Sequence, residues 1–310
     1  MKNRKIILGS LMLFVFSTLG VLMLLSFLSH PVTQLTILSG SKNATQYRFA
    51  EDIVTIVGPT LDFKIVNKET RGVASNFAEL SDPKSPHKLA IIQADFLYYM
   101  QAQDMRLKTE KTKNLKVVLP LGDQQIHLVT KASNGYTGLR DLNNKNVAIG
   151  SEEQGTFRTA MLIRERSKVE WSPMNTHLDD CLGALNLSKI NAFFIVSSAP
   201  IKQLDLNPQS MVDKLVLIPL EDFNDWAKYY KRDTIYKSDY KWLDQDIPTY
   251  GVPTLLVVNE SKLTDEERIS VGKLKTAIET SYEDLKVKGH PEWKKVNLTE
   301  WSESDWPAFK

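Results

Sequence analysis

Hydrophobic positions along this chain fall into three regimes. Ile6 to Leu28 runs without a charge, after Lys2, Arg4 and Lys5 and before His30 and Pro31. That length spans a hydrocarbon core, and the preceding cations orient the downstream chain to the outside. An uncleaved N-terminal transmembrane anchor within residues 1–31 is expected. A cleaved signal peptide is the alternative; its shorter apolar core and small-residue cleavage site are missing. From residue 32 onward, short apolar runs alternate with segments of helical period, the pattern of an α/β fold with a parallel sheet. The runs predict strands at Leu35 to Leu38, Phe63 to Val66, Leu89 to Ile92, Val117 to Leu119, Ile126 to Val129, Val147 to Ile149, Ala192 to Val196, Leu215 to Ile218 and Leu255 to Val258. Phe49, Ile53, Ile56 and Val57 form one apolar helix face, and Leu178, Leu182 and Leu185 another. Thr264 and Glu267 make a capping-box pair before a helix through Leu274, Ile278 and Leu285, stopped by Gly289 and Pro291. The tail carrying Trp293, Trp301 and Trp306 reads as a strap packing its indoles onto the fold rather than as a carbohydrate platform.

Composition narrows the function classes. A net charge of +2 vanishes without the three N-terminal cations, so no electrostatic case for nucleic acid exists. One cysteine, Cys181, excludes an intrachain disulfide, and its position is too late for a lipid anchor; within the spacing of Leu178, Leu182 and Leu185 it reads as core packing. The five histidines are scattered, no metal-ligand spacing occurs, and hydrolase, metalloprotease and nucleotide-binding motifs are missing. The expectation is a binding protein, not an enzyme, with no cofactor and no metal.

Four polar, small-residue segments begin where predicted strands end: Gly40 to Tyr47, Gln93 to Asp95, Gly150 to Arg158 and Ser197 to Pro200. In open parallel sheets ligands sit beyond the carboxyl ends of strands. Two of these segments also open helices, near Asn43 to Tyr47 and Gln154 to Arg158, each offering free amides and a positive dipole end to an anion. Tyr47 and the Gln154-Gly155-Thr156 turn are expected to face each other across a cleft. Tyr47 could instead be a core aromatic, Thr45 a cap, and Asp95 the N-cap of a helix at Leu97 to Gln103. Arg48 and Arg158 are candidates for pairing a ligand carboxylate, Arg158 the better placed. Arg158 could also offset the negative charge of Glu152 and Glu153.

These segments resemble the solute-binding subunits of tripartite ATP-independent periplasmic (TRAP) transporters, in their TAXI branch. The carriers are Leu35 to Tyr47 continuing to Ala50 and Ile53, Ala90 to Asp95, His127 to Thr130 with Gly138 to Gly150 and Gln154 to Thr156, and Ala192 to Pro200. The resemblance implies a type II-like two-lobed periplasmic binding protein closing on a small carboxylate such as glutamate or 2-oxoglutarate. Lobe one would take 32–122 plus 254–310 and lobe two 123–253, with His127 to Thr130 and Thr254 to Val258 as the crossing connections. Ser41, Thr45, Tyr47, Gln93, Asp95, Gly155, Thr156 and Ser197 would line the cleft. Asn43 and Gln46 stand where the family has a glycine and a tyrosine, Ala94 where it has a serine, and Gln154 where it has a small residue. Implied partners are the solute and the transporter's membrane subunits, on the periplasmic side of the inner membrane. A sensory module signalling to a membrane partner, or an enzyme on the same fold, are the alternatives.

Overall fold

A computed structural model describes residues 34–206, 213–302 and 305–310. The expected anchor, Ile6 to Leu28, lies outside them, and among the described residues no helix is long and apolar enough to cross a membrane. Ten strands form one sheet: β1 Gln34–Leu38, β2 Lys64–Lys68, β3 Leu89–Gln93, β4 Leu115–Lys131, β5 Asn146–Ala148, β6 Ser172–Met174, β7 Ala192–Val196, β8 Leu215–Leu217, β9 Lys231–Ile235 and β10 Ile247–Asn259. Their order is β2-β1-β3-β10-β4-β7-β5-β6, with β8 also on β4 and β9 on β10.

The sheet is mixed, which corrects the expected parallel sheet. β1 pairs parallel with β3, and β5 parallel with β6 and β7. The centre is antiparallel: β10 runs against β3, β4 and β9, and β4 against β7 and β8. Two predicted strands, Val117 to Leu119 and Ile126 to Val129, are parts of the single β4, because the polar Asp123 to Gln125 pair with Gly251 to Pro253 and the register only shifts, without ending, beside Gly122 at φ 84°. β6 and β9 are not legible as strands in the sequence; Lys231–Ile235 is largely polar and is held by its register with Ile247–Gly251.

Burial on both faces explains the continuous apolar runs of β1, β3, β7 and the Thr254 to Val258 part of β10. In the first half of the sheet, Leu35, Ile37, Leu89, Ile91, Leu256 and Val258 enter one core with Phe49, Ile53 and Leu274. Their alternates Leu38, Ala90, Ile92, Leu255 and Val257 enter another with Phe77, Phe96 and Leu97. The second half repeats the plan. Ile126, Leu128, Val147, Ile149, Phe194 and Val196 pack with Trp171 and Trp226, while Val129, Ala148, Phe193 and Ile195 pack with Cys181, Leu182 and Leu185.

The covering helices are α1 Thr45–Asp52, α2 Val73–Ser81, α3 Ala94–Leu107, α4 Gly155–Ser167, α5 Leu178–Asn186, α6 Lys202–Leu206, α7 Asp265–Thr280 and α8 Tyr282–Lys288. α1 passes into a π-helical turn, Ile53–Val57, that keeps Phe49, Ile53 and Val57 inward. The capping box forms as expected: Thr264 accepts from the Glu267 amide and Glu267 accepts from the Thr264 amide at 2.9 Å. The expected single C-terminal helix breaks at Ser281, and Gly289 closes α8. The tail is a strap. Trp293 donates to Asp52 at 2.9 Å, Trp306 donates to the Leu115 carbonyl at 2.9 Å, and Phe309 N–H bonds the Val117 carbonyl at 2.8 Å. Cys181 is buried in a core, its thiol pushed up to about 12 chiefly by that burial.

His127 sits within β4, fully enclosed, with Nε2 2.9 Å from the Tyr240 hydroxyl and Nδ1 3.2 Å from the Gln125 carbonyl oxygen. Burial lowers its pKa to about 4. Between that value and its ordinary value near 6.5, the unfolded chain binds a proton that the folded one does not. Stability supplied by the neutral ring is thus complete above about pH 6.5 and falls as the pH drops toward about 4. The loss approaches about 3 kcal/mol on the scale of 1.36 kcal/mol per unit. Urea unfolding of the native protein and His127→Gln across this window should show a shallower acid-side slope in the variant. Parallel slopes would place the titration elsewhere.

Candidate functional site

Where β1, β3, β5 and β7 end, the chain turns into loops or helices that enclose a cavity of about 530 Å³. Ser39, Gly40, Ser41, Asn43, Gln46 and Gln93 line it from the first half of the sheet, and Gly150, Ser151, Gln154, Gly155, Thr156 and Ser197 from the second. A concavity therefore lies at the strand ends, as expected, and its volume suits a small molecule.

Two helices begin at this cavity. The N-caps of α1 and α4 are Ala44 and Gln154, and neither supplies a side-chain cap. Ala44 has no polar group, so Thr45 is the first helical residue, not the cap. Gln154 instead uses Oε1 to accept from the Ser151 amide at 3.0 Å, back along its own turn. Gly150 permits that turn: at φ 78° it places the Gln154 carboxamide where a Cβ would stand 2.6 Å from Oε1. First-turn amides of both helices are thus free of a side-chain acceptor at their caps, which is what an anion requires.

Side chains also join the two walls. Thr45 Oγ1 lies 3.3 Å from Ser197 Oγ. Gln46 donates to Gln124 Oε1 at 3.0 Å, and Gln93 donates to the same oxygen at 3.5 Å. Gln93 Oε1 and Gln124 Nε2 have no hydrogen-bond partner in the protein, although both side chains are buried. Thr156 Oγ1 accepts from the Val196 amide at 3.0 Å, tying the start of α4 to the end of β7.

At Gly155 the two walls touch. A Cβ there would stand 1.5 Å from Gln93 Oε1. Only hydrogen leaves room for that carboxamide, which is the physical need for glycine at this position. The residue facing the Gln154-Gly155-Thr156 turn is therefore Gln93, not the expected Tyr47. Successive residues of α1 turn by about 100°. Gln46 consequently faces the glutamines and Thr45 faces Ser197, while Tyr47 is outside the cavity lining, with its carbonyl accepting from Asn67 Nδ2 at 3.2 Å.

Asp95 and Arg158 also leave the cavity. α3 starts at Ala94 with Gln93 as its N-cap, so Asp95 is neither a cap nor a lining residue. It is buried behind the site, where Asp95 Oδ2 accepts from Thr159 Oγ1 of α4 at 2.7 Å and from the Tyr230 hydroxyl at 3.1 Å. Burial raises its pKa, with the Thr159 and Tyr230 hydrogen bonds opposing. The guanidinium of Arg158 lies over the Tyr99 ring of α3 at 4.2 Å. The expected offset of acidic charge at the cavity comes from another residue: Arg71 pairs with Glu153 at 2.7 Å. That pair is largely solvated and contributes about 0–1 kcal/mol. Beside it, Gly72 at φ 139° packs where a Cβ would be 2.5 Å from the Glu153 carbonyl oxygen, and the Ala74 amide donates to the same oxygen at 3.1 Å.

Arg71, Gly72, Glu153, His177, Asp179 and Gln203 also line the cavity, beyond the residues expected there. Glu153 lies in the singled-out segment Gly150 to Arg158, but no motif marks the other five, which reach the cavity through tertiary contact. Among the described residues no group of His, Cys, Asp and Glu is arranged to hold a metal.

A model of the NMT1-like family matches residues 37–274. No curated protein matches the chain. Among solved structures it is similar to MatC of Rhodopseudomonas palustris with bound malate, at 15% identity over 85% of this chain and 87% of that one, with a TM-score of 0.53. An ancestral arginine-binding protein bound to arginine matches at 12% identity over 84% and 95% of the two chains, with a TM-score of 0.51. A Salmonella typhimurium periplasmic binding protein with high arginine specificity matches at 12% identity over 83% and 98%, with a TM-score of 0.50. At these identities the likeness establishes the fold, that of periplasmic solute-binding proteins.

The Gly155 contact makes a specific prediction. Gly155→Ala should force Gln93 away from the α4 terminus and weaken binding of any cavity ligand by about tenfold or more, a cost of about 1.4 kcal/mol. Adding Gln93→Ala should relieve the steric part. Calorimetric titration of the single and double variants checks this. Equal losses in both would show that the carboxamide is not what Gly155 accommodates.

Proposed function

This chain belongs to the NMT1-like family, and from that premise and the cavity's geometry we propose that it is an extracytoplasmic solute-binding protein capturing a small carboxylate for a transporter. The observation that carries this reading is the cavity of about 530 Å³ at the strand ends, entered by two helix N-termini that lack side-chain caps. A carboxylate there would accept from first-turn amides of α1 and α4, with Ser41, Asn43, Gln46, Gln93, Thr156 and Ser197 as further hydrogen-bonding groups. Malate, bound to MatC, and arginine, bound to the ancestral protein, both carry a carboxylate.

On this reading the first half of the sheet, 32–122 with 254–310, and the second half, 123–253, are two lobes. They close over the solute, and binding energy favours the closed arrangement. The Thr45 to Ser197 and Gln93 to Gly155 contacts are then closure contacts, because each joins the two lobes. Motifs resembling the TAXI branch support a TRAP-type transporter as the recipient. The apolar run from Ile6 to Leu28 supports anchoring at the outer face of the inner membrane. Glutamate and 2-oxoglutarate are the first solutes to test.

A mono- or dicarboxylate should stabilise the protein. At about 100 times its dissociation constant it adds roughly 2.7 kcal/mol, a measurable rise in Tm. Thermal melts against a panel of carboxylates, amino acids, sugars and cations check this, alongside mass spectrometry of small molecules released from protein purified from its host. Stabilisation by sugars or cations alone would sink the carboxylate reading.

A further inference from the structure

Behind the cavity, α3, α4 and the turn from Trp226 to Tyr230 form a face that solute capture does not use. Arg158 lies over Tyr99 at 4.2 Å, with the Phe157 and Phe96 rings at 5.7 and 5.9 Å. Two turns further along α4, Arg166 lies over Tyr229 at 4.3 Å, and Tyr229 packs on Tyr98 of α3 at 5.1 Å. Each arginine is half-buried and held by an aromatic ring, yet neither has a carboxylate within ion-pair distance among the described residues. Arg158 Nε and Arg166 Nη1 are shielded from solvent without a hydrogen-bond partner.

Those two nitrogens face inward, out of a partner's reach, and the other donors of each guanidinium are not among the buried ones. A guanidinium is a rigid fork of donors matched to a carboxylate, so these outer donors are what a partner would meet. Among the described residues the other charged groups here do not pair with either guanidinium. Lys228 adds a third cation, 5.8 Å from the Tyr229 ring. Asp95 acts on Arg166 through space, but its hydrogen bonds go to Thr159 and Tyr230. Asp305 acts on Tyr98. Met105, one further helical repeat along α3 from Tyr98, is 73% exposed.

We propose that this face docks an acidic segment of a partner protein, whose carboxylates engage Arg158 and Arg166 while apolar side chains cover Tyr98, Tyr229 and Met105. The composition is that of an interface hot spot, tyrosine and arginine in a partly desolvated patch. Spacing favours a polypeptide over one small anion. Eight helical residues set the two arginines about 12 Å apart along α4, close to the about 13 Å between residues four apart in an extended chain. α3 belongs to the first half of the sheet and α4 to the second, so the face is assembled from both. Under the proposed function, on which this step rests, an acidic loop of the transporter's membrane subunit would thereby distinguish the closed form from the open one.

The test uses the full chain and a fluorescein-labelled peptide carrying two glutamates four positions apart with leucine between them. Controls are a peptide with the glutamates adjacent, a peptide with lysines in their place, and phosphatidylglycerol vesicles. The spaced peptide should bind, weaken with added salt, and lose about tenfold in affinity in Arg166→Gln and in Tyr229→Ala, with Arg166→Lys intermediate. Tyr229 is exposed, so its variant carries the comparison if Arg166→Gln melts early. Equal binding of the adjacent-glutamate peptide, no loss in either variant, or binding to the vesicles alone would overturn the proposal. Solute-induced Tm shifts on the same samples separate the two readings. Peptide binding without any solute shift overturns solute capture alone, and a solute shift without peptide binding overturns the docking face alone.

Discussion

The antiparallel pairing of β4 with β10 is the constraint on which the rest of the molecule depends. β4 runs from Leu115 to Lys131 and β10 from Ile247 to Asn259, and each reaches from one half of the sheet into the other. β10 holds β3 along Thr254 to Val258 and β9 along Ile247 to Gly251, while β4 holds β7 along Ile126 to Val129. No single linker decides where the halves stand. Two ladders do, and their irregularities are local: register shifts between Pro253 and Leu255 and between Leu256 and Val257, and Gly122 in the left-handed region beside Val296. A proline cannot donate to a ladder and a glycine costs entropy, so both mark where a sheet bends with least penalty. On the proposed reading, opening of the cleft would concentrate there, since elsewhere it would break apolar packing on two faces at once.

That architecture explains why the cavity is polar although its floor is not. The strands are apolar almost to their ends, and the polarity begins there: Gln93 is the last residue of β3, Ser39 and Ser197 directly follow β1 and β7, and Gly150 comes two residues after β5. Parallel strands of each half deliver these ends to the same side, and the antiparallel centre brings the two sets together. The result is a site assembled from backbone amides, carboxamides and hydroxyls, and among the described residues Arg71 is the one lysine or arginine that lines it. Recognition by such groups is directional rather than strongly electrostatic, so a ligand must fit the donors as well as carry charge.

Much of this is legible in the chain itself. Strands buried on both faces announce themselves as unbroken apolar runs, and a capping box such as Thr264 with Glu267 is a local chemical event. Long-range pairing is not legible: the polar β9 exists because Ile247–Gly251 lies beside it, and strand direction leaves no trace in hydropathy. The site divides in the same way. Ser41, Asn43, Gln46, Gln93, Gln154, Gly155, Thr156 and Ser197 are at the cavity because they follow strands. Thr45 stands just behind it, hydrogen-bonding distance from Ser197. Tyr47, Asp95 and Arg158 follow strands too, but helical rotation carries each away from it. Position after a strand locates a segment, whereas the helical phase within that segment selects the residues that face the ligand.

Asp95 shows what that phase costs and what it supplies. Its carboxylate is enclosed, Oδ1 has no partner, and burial drives its pKa up despite the hydroxyls of Thr159 and Tyr230. A lone buried carboxylate is unfavourable, and apolar residues of similar size would pack at lower cost. Its partners give the position its meaning. Thr159 belongs to α4 and Tyr230 to the turn before β9, while Asp95 itself lies in the first turn of α3, so one carboxylate ties three segments together. A directional bond of this kind restrains orientation more sharply than apolar contact, which is indifferent to small sliding. The cavity contacts of Gln93 and the stacking of Arg158 on Tyr99 flank it within α3 and α4. The alignment of the two helices therefore rests on a group whose own solvation is poor, and which keeps its bonds only while α3 and α4 stay together.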